Sequence, residues 1–108
     1  MKKFIAALLF VPAMAKAEFM TGNSLLADMQ GTTMKQMHAL GYVLGAADSA
    51  INVTVCPPDG INAGQVFDII KNFLEANPAI RHYSGDIIIK TRLEAVWPCK
   101  QQSIGRGA

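Results

Sequence analysis

Asn62-Ala-Gly-Gln65-Val66-Phe-Asp-Ile69-Ile70-Lys-Asn-Phe73-Leu74-Glu-Ala-Asn77 decides the fold class. Val66, Ile69, Ile70, Phe73 and Leu74 recur at three- and four-residue spacing, so one face of a helix is apolar and seeks a partner. Asn62 offers a side-chain cap, and Gln65 three residues later completes a near capping-box pattern. Asn77-Pro78 closes the element, because the residue before a proline is biased away from helical backbone angles. A helix with one apolar stripe must be buried by other elements, and its neighbours indicate which.

Upstream, Cys56-Pro57-Pro58-Asp59-Gly60 cannot be helical, since two prolines remove donors and glycine favours a turn; it predicts a rigid loop. Before it, Met34, Met37, Leu40, Gly41, Leu44 and Ile51 form one stripe of a helix expected from Thr33 to about Val53, placed at the centre of the domain. Gly41 and Gly45 lie inside that helix, each costing about 1 kcal/mol against alanine. The cost predicts a packing reason, another helix lying close to the backbone; the alternative is a dimerising face of a homodimer. Asp48 shares the face of Leu44 and Ile51, which predicts a carboxylate tied to backbone amides or to Arg81 or Arg92, with a binding role as the alternative. Thr21–Gln30 reads as a short helix capped by Thr21 or Asn23 and ended by Gly31.

Downstream, Arg81–Ser84 is a short polar link and Gly85–Trp97 a fourth element. It is read as helix, although Ile87-Ile88-Ile89 leaves a strand open, with the β-branched residues near Val53–Val55 as its partner. Pro98 stops it. The expected class is all-α, a small domain of four to five helices.

The first 17 residues read as a cleaved signal peptide: Lys2 and Lys3, an apolar run Phe4–Val11, and the small-x-small site Ala15-Lys16-Ala17. Eight apolar residues before Pro12 are far fewer than the roughly 20 that span a bilayer, so no stable membrane anchor is expected. The predicted organisation is leader 1–17, helical domain 18–99 and flexible tail 100–108. Beyond the leader seven basic residues face eight acidic ones, which removes the electrostatic case for a nucleic-acid partner. An exported chain meets an oxidising, periplasmic compartment, where the pair Cys56 and Cys99 is expected as a disulfide. By loop-closure entropy that crosslink is worth roughly 4 kcal/mol, so reduction is expected to unfold the domain or nearly so.

Chemistry-bearing residues are sparse. His38 and His82 have no ligand-spaced partners, which predicts no metal and no cofactor; no serine sits in a nucleophile setting, so no enzyme is expected. Cysteines this far apart are structural rather than redox-active. Arg81-His82-Tyr83 combines a fixed charge, an imidazole and a phenol, and reads either as a partner contact or as a connector with Tyr83 packed on the core. Met34 and Met37 read as core, with an adaptable contact surface as the alternative.

Thr21-Gly-Asn-Ser-Leu-Leu26, Leu40-Gly-Tyr-Val-Leu-Gly-Ala-Ala-Asp48, Cys56-Pro-Pro-Asp-Gly-Ile-Asn-Ala-Gly-Gln65, Asn77-Pro-Ala-Ile-Arg-His-Tyr-Ser84 and Trp97-Pro-Cys99, in that order, resemble the Rap/Tai-type immunity proteins of type VI secretion. The resemblance implies a small helical periplasmic protein that binds a cell-wall amidase toxin and blocks its active site. Relatives often carry a further cysteine pair where this chain has Met29 and Ala39. A rigid loop loses little ordering entropy on entering a cleft, so Pro57, Pro58 and Asp59 within Pro57–Ile61, with Arg81, His82 and Tyr83, are the expected contacts. Two other readings are a periplasmic acid-stress chaperone of the Hde type and an envelope factor of phage or plasmid origin.

Overall fold

The computed structural model describes residues 19–100; the expected leader and all but the first residue of the expected tail lie outside them. Thr21 opens the first helix with a reciprocal cap. Its hydroxyl oxygen accepts the Ser24 amide at 3.2 Å, while the Ser24 hydroxyl oxygen accepts the Thr21 amide at 2.9 Å, which satisfies two otherwise orphaned donors. α1, Gly22–Met29, buries Leu25, Leu26 and Met29. Thr32 caps α2, Thr33–Asp48, by accepting the Lys35 amide.

The buried face of α2 is Ala39, Val43, Ala46 and Ala47, with Ala50 beyond the helix end. This corrects the expected stripe. Met34 is 78% and Met37 62% exposed, Gly41 and Gly45 face outward, and Leu40 and Leu44 are only half-buried. The helix touches all three of its neighbours, and small side chains are what let them approach. Met29 and Ala39 are both fully enclosed.

α2 also ends short of Val53. Ile51, Val53, Thr54 and Val55 are β-branched and weak helix formers, and the chain instead turns tightly: the Ala50 carbonyl accepts the amides of Val53, Thr54 and Val55. Asn52, within this turn, takes φ 66°, a left-handed conformation that asparagine tolerates.

α3, Ala63–Ala76, has the cap its sequence promised: Asn62 Oδ1 accepts the Gln65 amide at 2.9 Å and Gln65 Oε1 accepts the Asn62 amide at 2.8 Å. Ile70 and Leu74 are fully buried, with Val66, Phe67, Ile69 and Phe73 packed around them. A 3-10 turn, Pro78–Ile80, leads to α4, Gly85–Val96. The open choice for the isoleucine run is settled as helix: Ile88, Ile89 and Leu93 are buried, and Ile87 points out. Among the described residues β pairing is confined to isolated bridges, and every helix touches the other three. The domain is all-α, with four helices and one disulfide.

α4 is fastened at both ends. At its start, Asn23 and Gly22 donate to the Arg81 and Tyr83 carbonyls at 2.8 and 3.0 Å, and Gly85 donates to the Met20 carbonyl at 2.8 Å. Gly22 is required there, since a Cβ would lie 2.9 Å from the Arg81 backbone and 2.7 Å from Ile88 Cδ1. Beside Gly85 lies the Tyr42 ring, whose phenol is raised above its usual range by burial and then by the charge of Asp86. At the other end Cys56 and Cys99 are joined, Cα atoms 4.9 Å apart, and the Cys56 amide donates to the Trp97 carbonyl at 2.8 Å.

Candidate functional site

The loop after Cys56 is held at both ends and bare in the middle. Its entry is fixed by the disulfide and by a bridge between Val55 and Pro98; its exit is fixed by the Asn62 capping box. Between them Pro57 is half-buried, whereas Pro58, Asp59 and Gly60 are exposed. Gly60 takes φ 92°, a conformation that a side chain would strain. The prolines restrict φ on one side of Asp59 and this turn bends the chain on the other, so the carboxylate is presented on a segment with few conformations.

The second expected contact, Arg81–Tyr83, has a different character. Arg81 is half-buried, and its Nε–H donates at 2.8 Å to the Leu74 carbonyl in the last turn of α3, which also accepts the Asn77 amide at 3.3 Å. Asn77 does the same for Phe73, its Nδ2 donating at 2.9 Å. His82 is exposed and its ring lies 4.1 Å from that of Tyr83, which is itself 53% exposed. Of the alternative, a polar connector with Tyr83 packed on the core, the packing is partial: the ring is more than half exposed and lies over a groove beside Phe73 and Ile88. The two segments sit at opposite ends of α4, about 20 Å apart along the axis at roughly 1.5 Å per residue, so they do not form one patch.

Asp48, Gly41 and Gly45 differ from expectation, whereas His38 is the exposed, satisfied helical histidine that was expected. Asp48 is exposed at the last turn of α2 and, among the described residues, makes no ion pair or side-chain hydrogen bond with Arg81 or Arg92. Asp48 lies on the expected core face of α2, whose Leu40 and Leu44 are only half-buried and whose Met34, Met37 and Gly41 are exposed. Gly41 and Gly45 have nothing within 4 Å of an added Cβ, so no neighbouring helix lies against them. His38 is exposed and pairs with Asp28 at 2.9 Å, linking α2 to α1. Among the described residues no three His, Cys, Asp or Glu side chains gather in a metal-binding group, and no helix is long and apolar enough to cross a membrane.

A third surface has no local signal in the sequence. Between α3, the 3-10 turn and the first half of α4 lies a groove of about 220 Å³, floored by Phe73, Ile80 and Ile88 and edged by Tyr83, Ile87 and Arg92. Arg92 lays its guanidinium 4.7 Å from the Phe73 ring centroid, a cation–π arrangement, while its Nε–H is shielded from solvent with no acceptor. The one clue is Ile87: three consecutive isoleucines cannot share a helix face, and it is 59% exposed on this groove.

Residues 21–99 match the family model of the Rap1a immunity proteins. No curated protein and no solved structure matches the chain.

Proposed function

The chain belongs to the Rap1a immunity proteins, and from that membership we propose that it is an exported, non-catalytic inhibitor. Its target is a peptidoglycan-cleaving amidase toxin of type VI secretion. Inhibition is steric: the Pro57–Ile61 loop enters the toxin's cleft, and the Arg81–Tyr83 link contacts a second part of the toxin. The observation that carries this reading is the extent of the family match, which spans both cysteines and both exposed segments.

The loop supports it physically. A segment anchored by a crosslink at one end and a capping box at the other is already ordered, so binding costs little further chain entropy. The crosslink and the reading of residues 1–17 as a leader both favour export to an oxidising compartment, the periplasm.

The test is co-expression with periplasmic amidase toxins. The full chain is expected to prevent lysis by its cognate toxin and to co-purify with it, and a version lacking residues 1–17 to give no protection. Replacing Asp59 and Arg81 together is expected to weaken the complex at least tenfold. Wild-type affinity after both changes would exclude these contacts; lysis by every such toxin despite a folded, exported protein would sink the immunity reading.

A further inference from the structure

We propose that the groove between α3, the 3-10 turn and α4 receives a toxin segment that presents a carboxylate beside an apolar side chain. The apolar group rests on Phe73, Ile80 and Ile88, and Arg92 takes the carboxylate. This rests on the immunity reading and adds to it a second, chemically defined contact.

The groove is smaller than the roughly 300–1,000 Å³ of small-molecule pockets, a size suited to one large side chain rather than a cofactor. Its floor is hydrocarbon and aromatic, and among the described residues no acidic side chain lines it. Its charge is of one sign. Arg92 stands at one edge, and the neighbouring link contributes Arg81, which commits only its Nε–H to Leu74. Of the two acids of α4, Asp86 is paired with Lys90 at 3.2 Å and lines a different depression, beside Gly41 and Gly45, and Glu94, two residues beyond Arg92, is exposed and is not among the residues that line the groove.

Arg92 also determines the chemistry of the guest. A shielded N–H without an acceptor is unfavourable where it is, and among the described residues the Arg92 guanidinium forms no salt bridge that offsets this. A carboxylate entering the groove draws the guanidinium off the Phe73 ring and accepts two parallel N–H bonds, Nε–H among them. The uncovered ring then becomes part of the apolar floor. An amide or hydroxyl guest can satisfy one donor but supplies no charge, so the geometry favours an acidic residue next to Leu, Met or Phe.

The test uses the purified, oxidised protein labelled with nitrogen-15 and two capped peptides, acetyl-Phe-Glu-amide and acetyl-Phe-Gln-amide. The acidic peptide is expected to shift the Arg92 Nε–H resonance and the backbone amides of Ile87 and Thr91 saturably, and to bind at least fivefold tighter than the amide peptide. Arg92→Gln should abolish that preference while leaving the near-ultraviolet dichroism of Trp97 intact; Arg92→Lys should restore only part of it. Equal binding of the two peptides, or an unchanged preference in Arg92→Gln, overturns the proposal. With the cognate toxin, Arg92→Gln is expected to weaken the complex at least tenfold. Peptide discrimination without any effect on the toxin complex overturns the assignment of the guest to the toxin, as does self-association of the protein that Arg92→Gln abolishes. Failure of the wild-type protein to bind any amidase toxin, with peptide discrimination intact, counts against the immunity reading rather than against the carboxylate chemistry.

Discussion

The two ends of α4 solve the same problem by different means. At its C-terminal end a covalent bond joins Cys99 to the start of an exposed loop, beside a backbone hydrogen bond from Cys56 to Trp97. At its N-terminal end nothing is covalent: three backbone hydrogen bonds join Met20–Asn23 to Arg81–Gly85, and they can form only because Gly22 has no side chain. The crosslinked end can therefore expose the Pro57–Ile61 loop, the proposed toxin contact, without weakening the fold. The glycine end cannot, because Arg81 both faces outward and caps α3.

Removing the covalent fastening tests the first half of that contrast. Replacing both cysteines by alanine, or reducing the bond, is expected to cost about 4 kcal/mol by loop-closure entropy for a separation of 43 residues. That is comparable to the whole net stability of a small domain, so urea unfolding followed by circular dichroism should show a protein largely unfolded at 37 °C. A loss below about 1 kcal/mol would mean that the glycine junction alone holds α4 in place.

Gly22→Ala tests the other half. The new Cβ meets the Arg81 backbone, which cannot rotate away as a side-chain end can, so the cost should reach the 1–3 kcal/mol typical of overpacking. Gly85→Ala should cost less, since its nearest neighbour at 3.0 Å is the edge of the Tyr42 ring. Chemical denaturation of both variants with the disulfide intact checks the order; equal, negligible losses would show that the junction is loose.

Function should separate the ends in the same way. Asp59→Ala removes an exposed side chain and is expected to change stability by no more than about 0.5 kcal/mol, whereas Arg81→Ala loses its bond to the Leu74 carbonyl and should cost roughly 1–1.5 kcal/mol. Melting temperature measured beside toxin affinity distinguishes them: Asp59 should alter affinity alone, Arg81 both. Equal effects on stability would erase the proposed division of labour.

How far the sequence could be read follows from how local each feature is. The α3 capping box and its Asn77-Pro78 stop involve residues adjacent along the chain, and both are found as expected. The pairing of Cys56 with Cys99 needed only an even count and an oxidising compartment. The buried face of α2 was hidden because alanines give little hydropathy contrast, and Met34, Met37 and Leu44 dominated the periodicity. The Arg92 groove was hidden for a different reason: Phe73, Ile80 and Arg92 come from three elements, and no spacing rule joins them.

The smallest expected effect has the opposite sign, and it bears directly on why a glycine is where it is. Gly41 and Gly45 lie inside α2 with open space where a side chain would go, so neither is needed for packing within the domain. An interior helical glycine loses more backbone entropy on folding than alanine does. Gly41→Ala and Gly45→Ala should therefore each stabilise the monomer by about 0.5–1 kcal/mol, measured by chemical denaturation at low protein concentration. At Gly22 the same change meets backbone and should destabilise, so the pair of measurements separates a glycine required for close approach from one that is merely tolerated. Should either α2 variant prove destabilising, and more so as protein concentration rises, the exposed ridge would be a surface on which a second copy packs, the homodimer alternative raised by the Gly41-x-x-x-Gly45 spacing. Stabilisation independent of concentration would leave the ridge solvent-facing.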